Sequence, residues 1–404
     1  MSRSVYAPEN PQRPVYLDHA ATTPVDPCVA ARMAEVLNSH SEFGNPASSS
    51  HDYGDAANAL VETARRQVAD SVGASPDEVV WTSGATEANN LAIFGVAQYY
   101  RDSGRHIITA RTEHKAVLDP CRELERRGWR VTYLVPDGEG LLDPDELAAA
   151  LRPDTVLVSI MHVNNEIGVV QDIGAIGAIC ARHGGVRLHV DAAQSVGKRA
   201  IDFTGLGVDL MSLSAHKAYG PKGAGALLVS KRGTGRQDGR VQLTPLQYGG
   251  GQERGLRAGT LATHQVVGMG LAFALALETA ESEIARIARL QERLWQGLSS
   301  MGGVLRNGST RHGVPHVLNV SIEGVEGESL LAAVSPQLAV STGSACTSAL
   351  SEPSYVLRSL GRSERLSESS LRFGLGRGTS ERDIDQAVAI LGYQVSRLRQ
   401  VAGA

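Results

Sequence analysis

Nowhere does the sequence hold a run of about 18 uncharged apolar residues, so it offers no segment that would span a bilayer as a helix. The N-terminus, MSRSVYAPENPQRPVYLDHA, also lacks the apolar stretch of a signal peptide. Blocks of Lys and Arg are missing and the formal net charge is -4, which gives neither nucleic acid nor a membrane surface an electrostatic handle. Cysteine is scarce: Cys28, Cys121, Cys180 and Cys346 are far apart and form no CxxC pair, which excludes a disulfide framework and a zinc ribbon. The histidines, His183 and His189 among them, show no HExxH spacing, and no metal site is expected. Walker and GxGxxG spacings are absent too, as are repeats and low-complexity stretches. What these absences leave is a reduced, cytoplasmic, globular enzyme. Its 42% hydrophobic and 20% charged residues are ordinary for that class, and 404 residues suffice for two domains.

What is present is an alternation. From residue 79 to 230, β-rich runs (VVWTS, HIITA, RVTYLV, TVLVSIMHV, LHVDA, DLMSLS and ALLVSK) are separated by amphipathic segments. Ala88, Leu91, Ala92, Gly95 and Tyr99 share one helical face, and Gly104 supplies a stop. LDPDEL opens another helix, with Asp143 as cap, Pro144 at the first position and Glu146 at capping-box spacing. A third begins after Asp172 and aligns Ile173, Ile176, Gly177 and Cys180. Such alternation predicts an α/β fold with a mostly parallel seven-stranded sheet covered on both sides. After Thr260 the texture changes to a long Ala- and Leu-rich helix over 264–300, then a second, smaller α/β block (VLNVSI, ESLLAAV, STGSACTSA, LRFGLG). A last helix starts where Ser380 and Asp383 have capping-box spacing. The expected division is an N-terminal arm over 1–15 packing on the smaller domain, a large domain over 16–270 and a small one over 271–404. KRGTGRQDGR after Lys231 reads as an exposed loop.

Four stretches carry chemistry. In SAHKAYGPKG, Lys217 follows a buried-looking strand, and strand ends are where open α/β sheets place ligands. Desolvated there, a lysine amine can form a Schiff base. In LHVDAAQS, Asp191 ends a strand where an unpaired carboxylate costs several kcal/mol. It either caps a following helix or meets a cation, and a protonated pyridine nitrogen is such a cation. Gln194, three residues on, is positioned to donate to a cofactor oxygen. In WTSGATEANN, the N–H groups of Gly84, Ala85 and Thr86 at a helix start suit a phosphate, although many such turns bind nothing. Ser214, His216 and Thr260 are polar residues able to complete the cradle. In STGSACTSA, Cys346 sits among small polar residues, a mobile and accessible setting unlike that of a core thiol.

In this order, these stretches closely resemble the cysteine desulfurases of the NifS/IscS kind, within the class V aminotransferase-like group of fold-type I pyridoxal-phosphate enzymes. YLDHAATTPVD, FGNPASSSH, TEHKAVLDPC, SIMHVNNEIGVVQDI, GGGQERGLRAGT, EPSYVL and SLRFGLGR match as well, so the resemblance runs from Val15 to Leu398. STGSACTS looks like the family's first group, with a long catalytic loop, and lacks the RxGHHC pattern of the second. By motif, the resemblance implies that Lys217 binds pyridoxal 5'-phosphate as a Schiff base, Asp191 pairs with its ring nitrogen and Gln194 with its phenolic oxygen. It further implies that His114 stacks on the ring and that Ala85, Thr86, Ser214 and His216 hold the phosphate. The residue matching Thr260 reaches the phosphate of a neighbouring subunit, which implies a homodimer. Asn165, beside the cofactor, and Arg372 would hold the substrate carboxylate; a guanidinium suits a carboxylate through paired hydrogen bonds.

The implied activity is that of a sulfurtransferase. Lys217 takes the α-proton of L-cysteine, His114 serves as acid or base on the substrate thiol, and Cys346 attacks the sulfur. A Cys346 persulfide and L-alanine result, and the sulfur passes to acceptor proteins such as an iron–sulfur scaffold or to thio-cofactor and tRNA-thiolation routes. Contact of Cys346 with a cluster in passing is the only metal contact foreseen. Two departures stand out. Ala215 replaces a frequent Gly, and the sequence ends at VAGA without the tail that docks scaffolds in IscS-type members. A selenocysteine lyase, another class V enzyme or a sulfur-transfer platform with little turnover are the rival readings; a loop thiol has no use in an aminotransferase.

Overall fold

Burial decides how the run of strands is used. The structure is a computed structural model in which residues 13–40, 42–231, 239–342 and 353–402 are described. A short strand, β1 (Val15–Tyr16), comes first. Then β2 (Val79–Thr82), β3 (His106–Ala110), β4 (Arg130–Leu134), β5 (Thr155–Met161), β6 (Arg187–Asp191), β7 (Leu210–Ser214) and β8 (Gly225–Val229) build one seven-stranded sheet in the order β2-β8-β7-β6-β5-β3-β4. The pairings from β7 through β4 are parallel, and β8 runs antiparallel to both β7 and β2. Every residue of β3, β5, β6 and β7 is buried. A sheet covered on both faces requires this, and it is why these strands read as continuous apolar runs instead of alternating ones.

Helices cover the two faces unequally. On one face lie α1 (Pro27–Asn38) and α2 (Asp52–Asp70); α3 (Ala85–Tyr99) and α4 (Lys115–Arg126) lie on the other; α5 (Pro144–Ala150) and α6 (Ile173–Arg182) join the first pair. Ala88, Leu91, Ala92 and Gly95 are buried on α3 as the periodicity predicts, but Tyr99, in the last turn, is exposed and its ring packs on Tyr100. Asp143 caps α5 by accepting from the Asp145 N–H at 2.8 Å, and the reciprocal bond from Glu146 is not made.

One helix links two cores. α7 (Thr263–Ser299) packs Val266, Met269, Phe273 and Ala276 against the large sheet with α1 and α2. Its second half buries Ile287, Leu290, Leu294 and Leu298 against a different sheet. That sheet comprises β9 (Val304–Asn307), β10 (Val317–Ile322) and, further along, β12 (Ser370–Gly374), all antiparallel in the order β12-β10-β9. Between β10 and β12 come α8 (Gly327–Val334), β11 (Leu338–Ala339), α9 (Tyr355–Ser359) and α10 (Glu364–Glu368). α11 (Glu381–Ala402) closes the second core with Ile384, Leu391 and Val395, and its start is a true capping box, Ser380 and Asp383 exchanging main-chain bonds at 2.8 and 3.2 Å. The expected boundary at residue 270 falls inside α7.

The N-terminal residues stitch the two cores together. β1 pairs in parallel with β11, and Leu17 is wholly buried in the second core. Its carbonyl accepts from the Gly374 N–H at 2.7 Å, and the chain then runs on toward the carboxyl ends of β5, β6 and β7.

Candidate active site

Those strand ends open on a cavity of about 430 Å³. Open parallel sheets bind ligands there because no side chain of the next strand fills the crevice. Ala85 and Thr86 reach the cavity from the turn after β2, His114 from the start of α4, Asn165 from beyond β5, Asp191 and Gln194 from the end of β6, Ser214, His216 and Lys217 from the end of β7, and Arg372 from β12. A larger open cleft of about 610 Å³ lies elsewhere, lined by Arg101, Arg105, Arg127 and Trp129, and none of these chemistry-bearing residues lines it.

Backbone geometry shapes the anion-binding corner. Gly84 has φ 152°, where L side chains are rarely found, and a Cβ on Gly225 of β8 would sit 2.5 Å from the Gly84 Cα. Two glycines therefore let β8 and the turn touch main chain to main chain. That contact sets the first N–H groups of α3, which have no partner within the helix, at the cavity wall. A single 3-10 turn after β7, Ala215–Lys217, turns His216 and Lys217 inward. Ala215 is fully buried in the core and does not line the cavity, so its replacement of a glycine leaves the wall unchanged. His216 faces Thr22 Oγ1 at 3.1 Å. Burial first, then the charges of Lys217, Lys222 and Lys198, push it down to about 4, so the ring is neutral at pH 7.

The acid and the amine are held differently. Asp191 is 4% exposed; its Oδ2 accepts from Asn89 Nδ2 at 2.7 Å and its Oδ1 from the Ala193 N–H at 3.0 Å. A turn follows it, not a helix, and among the described residues no cation pairs with it. Two amide donors leave a buried carboxylate short of compensation. Lys217 Nζ donates to the carbonyls of Ala20 and Ala21 at 2.7 and 2.6 Å. Gln194 is fixed at both ends: Nε2 donates to the Ala20 carbonyl at 2.8 Å, and Oε1 accepts from Lys198 Nζ at 2.6 Å. His114 caps α4, its Nδ1 accepting from the Ala116 N–H at 3.1 Å, which assigns the proton of the neutral ring to Nε2.

Arg372 is 2% exposed, with Nη2 on Asp18 Oδ1 at 2.9 Å, Nη1 on the Asn165 carbonyl at 3.0 Å and, among the described residues, no partner for Nε. A fixed, buried guanidinium with an unused donor beside a cavity is a receptor for a small oxyanion. The arrangement thus offers an amine, a cation-seeking acid, an anion corner and a carboxylate receptor around one space.

The sequence matches the class V aminotransferase family, described as "Aminotransferase class-V", over residues 15–387. It is 58% identical to the cysteine desulfurase IscS of Methylococcus capsulatus and 56% identical to that of Photorhabdus laumondii subsp. laumondii, each over 96% of this chain and 94% of the relative. Among solved structures, a "NIFS-like protein" superposes with a TM-score of 0.87 at 33% identity, covering 96% of this chain and all of the other. The chain belongs to the NifS/IscS-type cysteine desulfurases. Its fold is accordingly that of the fold-type I enzymes, and it is an enzyme of the desulfurase kind.

One described residue expected at the desulfurase site does not line this cavity. Thr260 is exposed and lines no part of it. Cys346 lies outside the described residues. The described residues that flank its segment are tied to the site: Ser341 Oγ donates to Asp18 Oδ2 at 2.7 Å, Ser354 Oγ to Glu166 Oε2 at 2.6 Å, and Tyr355 Oη to the Glu113 carbonyl at 2.8 Å. Burial pushes Glu166 up to about 7, and the bond from Ser354 and the charge of Arg372 oppose this. Sequence reasoning assigned no role to Asp18, Ala20, Ala21, Asn89, Glu166 or Lys198. Asp18, Ala20 and Ala21 sit in YLDHAATTPVD, Asn89 in WTSGATEANN and Glu166 in SIMHVNNEIGVVQDI, so the matched motifs were the signal that pointed to them; Lys198, three residues past LHVDAAQS, had no such signal.

Proposed function

We propose that this enzyme converts L-cysteine and the thiol of Cys346 into L-alanine and a Cys346 persulfide, with pyridoxal 5'-phosphate held on Lys217. The observation that carries the reading is Asp191, a buried carboxylate with two amide donors, no cation among the described residues and a face on the cavity shared with Lys217 and Arg372. A protonated pyridine nitrogen is the cation such a site lacks, and about 430 Å³ accommodates the ring. The N–H groups of Ala85 and Thr86, with Ser214 and His216, fit the phosphate. Gln194 has an N–H left for the phenolic oxygen, and His114 is in reach to stack on the ring. The residues present therefore fit the group. When bound, it supplies an electron sink that makes the α-proton of an amino acid removable.

The protein's own residues do the rest. Arg372 and Asn165, both on the cavity wall, bind and orient the substrate carboxylate, which fixes the α-hydrogen toward the Lys217 amine. Lys217, withdrawn from the two carbonyls that hold it at rest, moves the proton at the α-carbon. His114 Nε2 handles the proton of the substrate thiol. The Cys346 thiolate forms the S–S bond as the carbon–sulfur bond breaks, and two protons delivered to the carbon skeleton complete L-alanine. Thr260 then belongs to a neighbouring subunit's site, which supports a homodimer, and its exposure agrees with that. Residues 16–270 form the cofactor-bearing domain and 271–404 the domain with the sulfur acceptor; the change of core within α7 supports a division near there. The persulfide goes to acceptor proteins of iron–sulfur assembly or thio-cofactor synthesis in the cytoplasm, and among the described residues no helix is long and apolar enough to cross a membrane.

Incubating the loaded protein with L-cysteine and a reductant tests this. L-alanine and sulfide are expected in equal amounts with no keto acid, and Cys346→Ala should lower both by at least about 100-fold while the protein stays yellow. Sulfide release at the wild-type rate from Cys346→Ala, or keto acid as the main product, would overturn it.

A further inference from the structure

One charged side chain beside the site has no role in that reading. Lys198 is 8% exposed, and its ammonium has the Gln194 Oε1 as acceptor at 2.6 Å. Among the described residues no carboxylate pairs with it. Its surroundings oppose a charge. Lys217 and Arg372 repel it. His19 and His316 line the same small cavity, each with an Nδ1 that has no partner among the described residues and each held neutral by burial above all. Glu283 lines it too, but that carboxylate is taken by Arg377, which lies over the Tyr219 ring. Burial and these charges push Lys198 down to about 7. An amine kept there against desolvation, with an amide oxygen for company, needs a reason.

Gln194 supplies one. A side-chain amide can present either its oxygen or its NH2 to a ligand, and the two faces are nearly the same shape. Here the oxygen is taken by Lys198, and one N–H is taken by the Ala20 carbonyl, leaving one N–H for the cavity that Gln194 lines. A positive charge on an amide oxygen also draws electron density away from the nitrogen, which makes the remaining N–H a stronger donor.

We propose that Lys198 is a positioning residue for Gln194, fixing the amide so that its N–H faces the cavity and strengthening that N–H toward an anionic oxygen there. The inference rests on the reading that this oxygen is the phenolic oxygen of pyridoxal phosphate. It explains why the ammonium is tolerated: an anion one amide away offsets the repulsion from Lys217 and Arg372.

The test uses the intact protein, stripped of pyridoxal phosphate and titrated with it, reading both the dissociation constant and the ratio of visible to near-ultraviolet absorbance. Lys198→Met should weaken binding about tenfold, the size of one hydrogen bond to a charged group, and lower the visible band. Lys198→Arg, which keeps the charge, should recover most of both. In a Gln194→Leu background, Lys198→Met should change the dissociation constant by less than about twofold, because the amide it acts through is gone. A Lys198→Met protein indistinguishable from the wild type, or an effect undiminished in the Gln194→Leu background, overturns the proposal. Lys217→Ala is the separate control: a visible band that survives there defeats the cofactor reading itself, whatever Lys198 does.

Discussion

The two cores bury different things. The one around the seven-stranded sheet holds His106, Glu113, His162, Glu166, His189, Asp191 and Lys198, and a buried ion pair in which Arg65 grips Glu253 through both Nη atoms at 2.9 Å. The one around β9, β10 and β12 is mostly aliphatic, with Phe373 among its buried side chains, and among the described residues Arg372 is the single buried side chain with a permanent charge after residue 280. Desolvating an ionisable group costs several kcal/mol unless it is paired or changes protonation. That cost falls almost wholly on the side that forms the floor of the cavity. The second core acts as a frame that delivers one guanidinium.

The comparison is sharpest where the frame alone is damaged. Leu294 is wholly buried in the second core. Leu294→Ala should cost about 2–5 kcal/mol, read from urea unfolding, while kcat and KM for L-cysteine at 25 °C stay within about twofold. A large fall in kcat in a protein that is still folded would show that the two cores are not separable in this way.

The next largest effect belongs to the first core and appears on acidification. His189 is fully buried between Ser159 Oγ at 2.8 Å and Ser212 Oγ at 2.9 Å. Burial pushes it down from 6.5 to about 4. Between those two pH values the unfolded chain binds a proton at this ring and the folded one does not. Stability is therefore lost as pH falls through that window, by up to about 3 kcal/mol for this ring, and no further below it. Glu166, pushed up to about 7, works the other way, gaining a proton in the folded state between about 7 and 4.5. The clean measure is thus the difference between the wild type and His189→Asn in urea midpoints from pH 7 to 4. The wild type should show the steeper loss, and parallel curves would remove His189 from the account.

The frame and the floor were also unequally legible in the sequence. Six strands of the large sheet were visible because burial on both faces writes continuous apolar runs; β4 is only partly buried and was read from its β-rich composition, and the capping box at Ser380 and Asp383 is a local pattern. The candidate site residues were legible by motif, and ten of them line one cavity. What holds them was not. Ala20 and Ala21 act through main-chain carbonyls on Lys217 almost 200 residues away, and a carbonyl carries no residue-type signal. Lys198 resembled any solvated lysine until its burial was known. The exposure of Tyr99 escaped the periodicity because a helical face repeats to the last turn whether or not anything covers that turn.

The smallest of the expected effects lies where frame and floor meet. Asp18 accepts from Arg372 Nη2 on one oxygen at 2.9 Å and from Ser341 Oγ on the other at 2.7 Å. Asp18→Ala removes both bonds, so a guanidinium that had been fixed for the substrate carboxylate must be ordered at the moment of binding. KM for L-cysteine should rise about tenfold, with kcat falling less. Asp18→Asn should cost only about twofold in KM, because its oxygen can stay on Arg372 while its NH2 turns to Ser341, whose hydroxyl can accept as well as donate. An Asn variant as poor as the Ala variant would mean that Arg372 needs the charge of Asp18 more than its geometry. The frame would then be supplying the floor with compensated charge, and not merely with a well-placed fork.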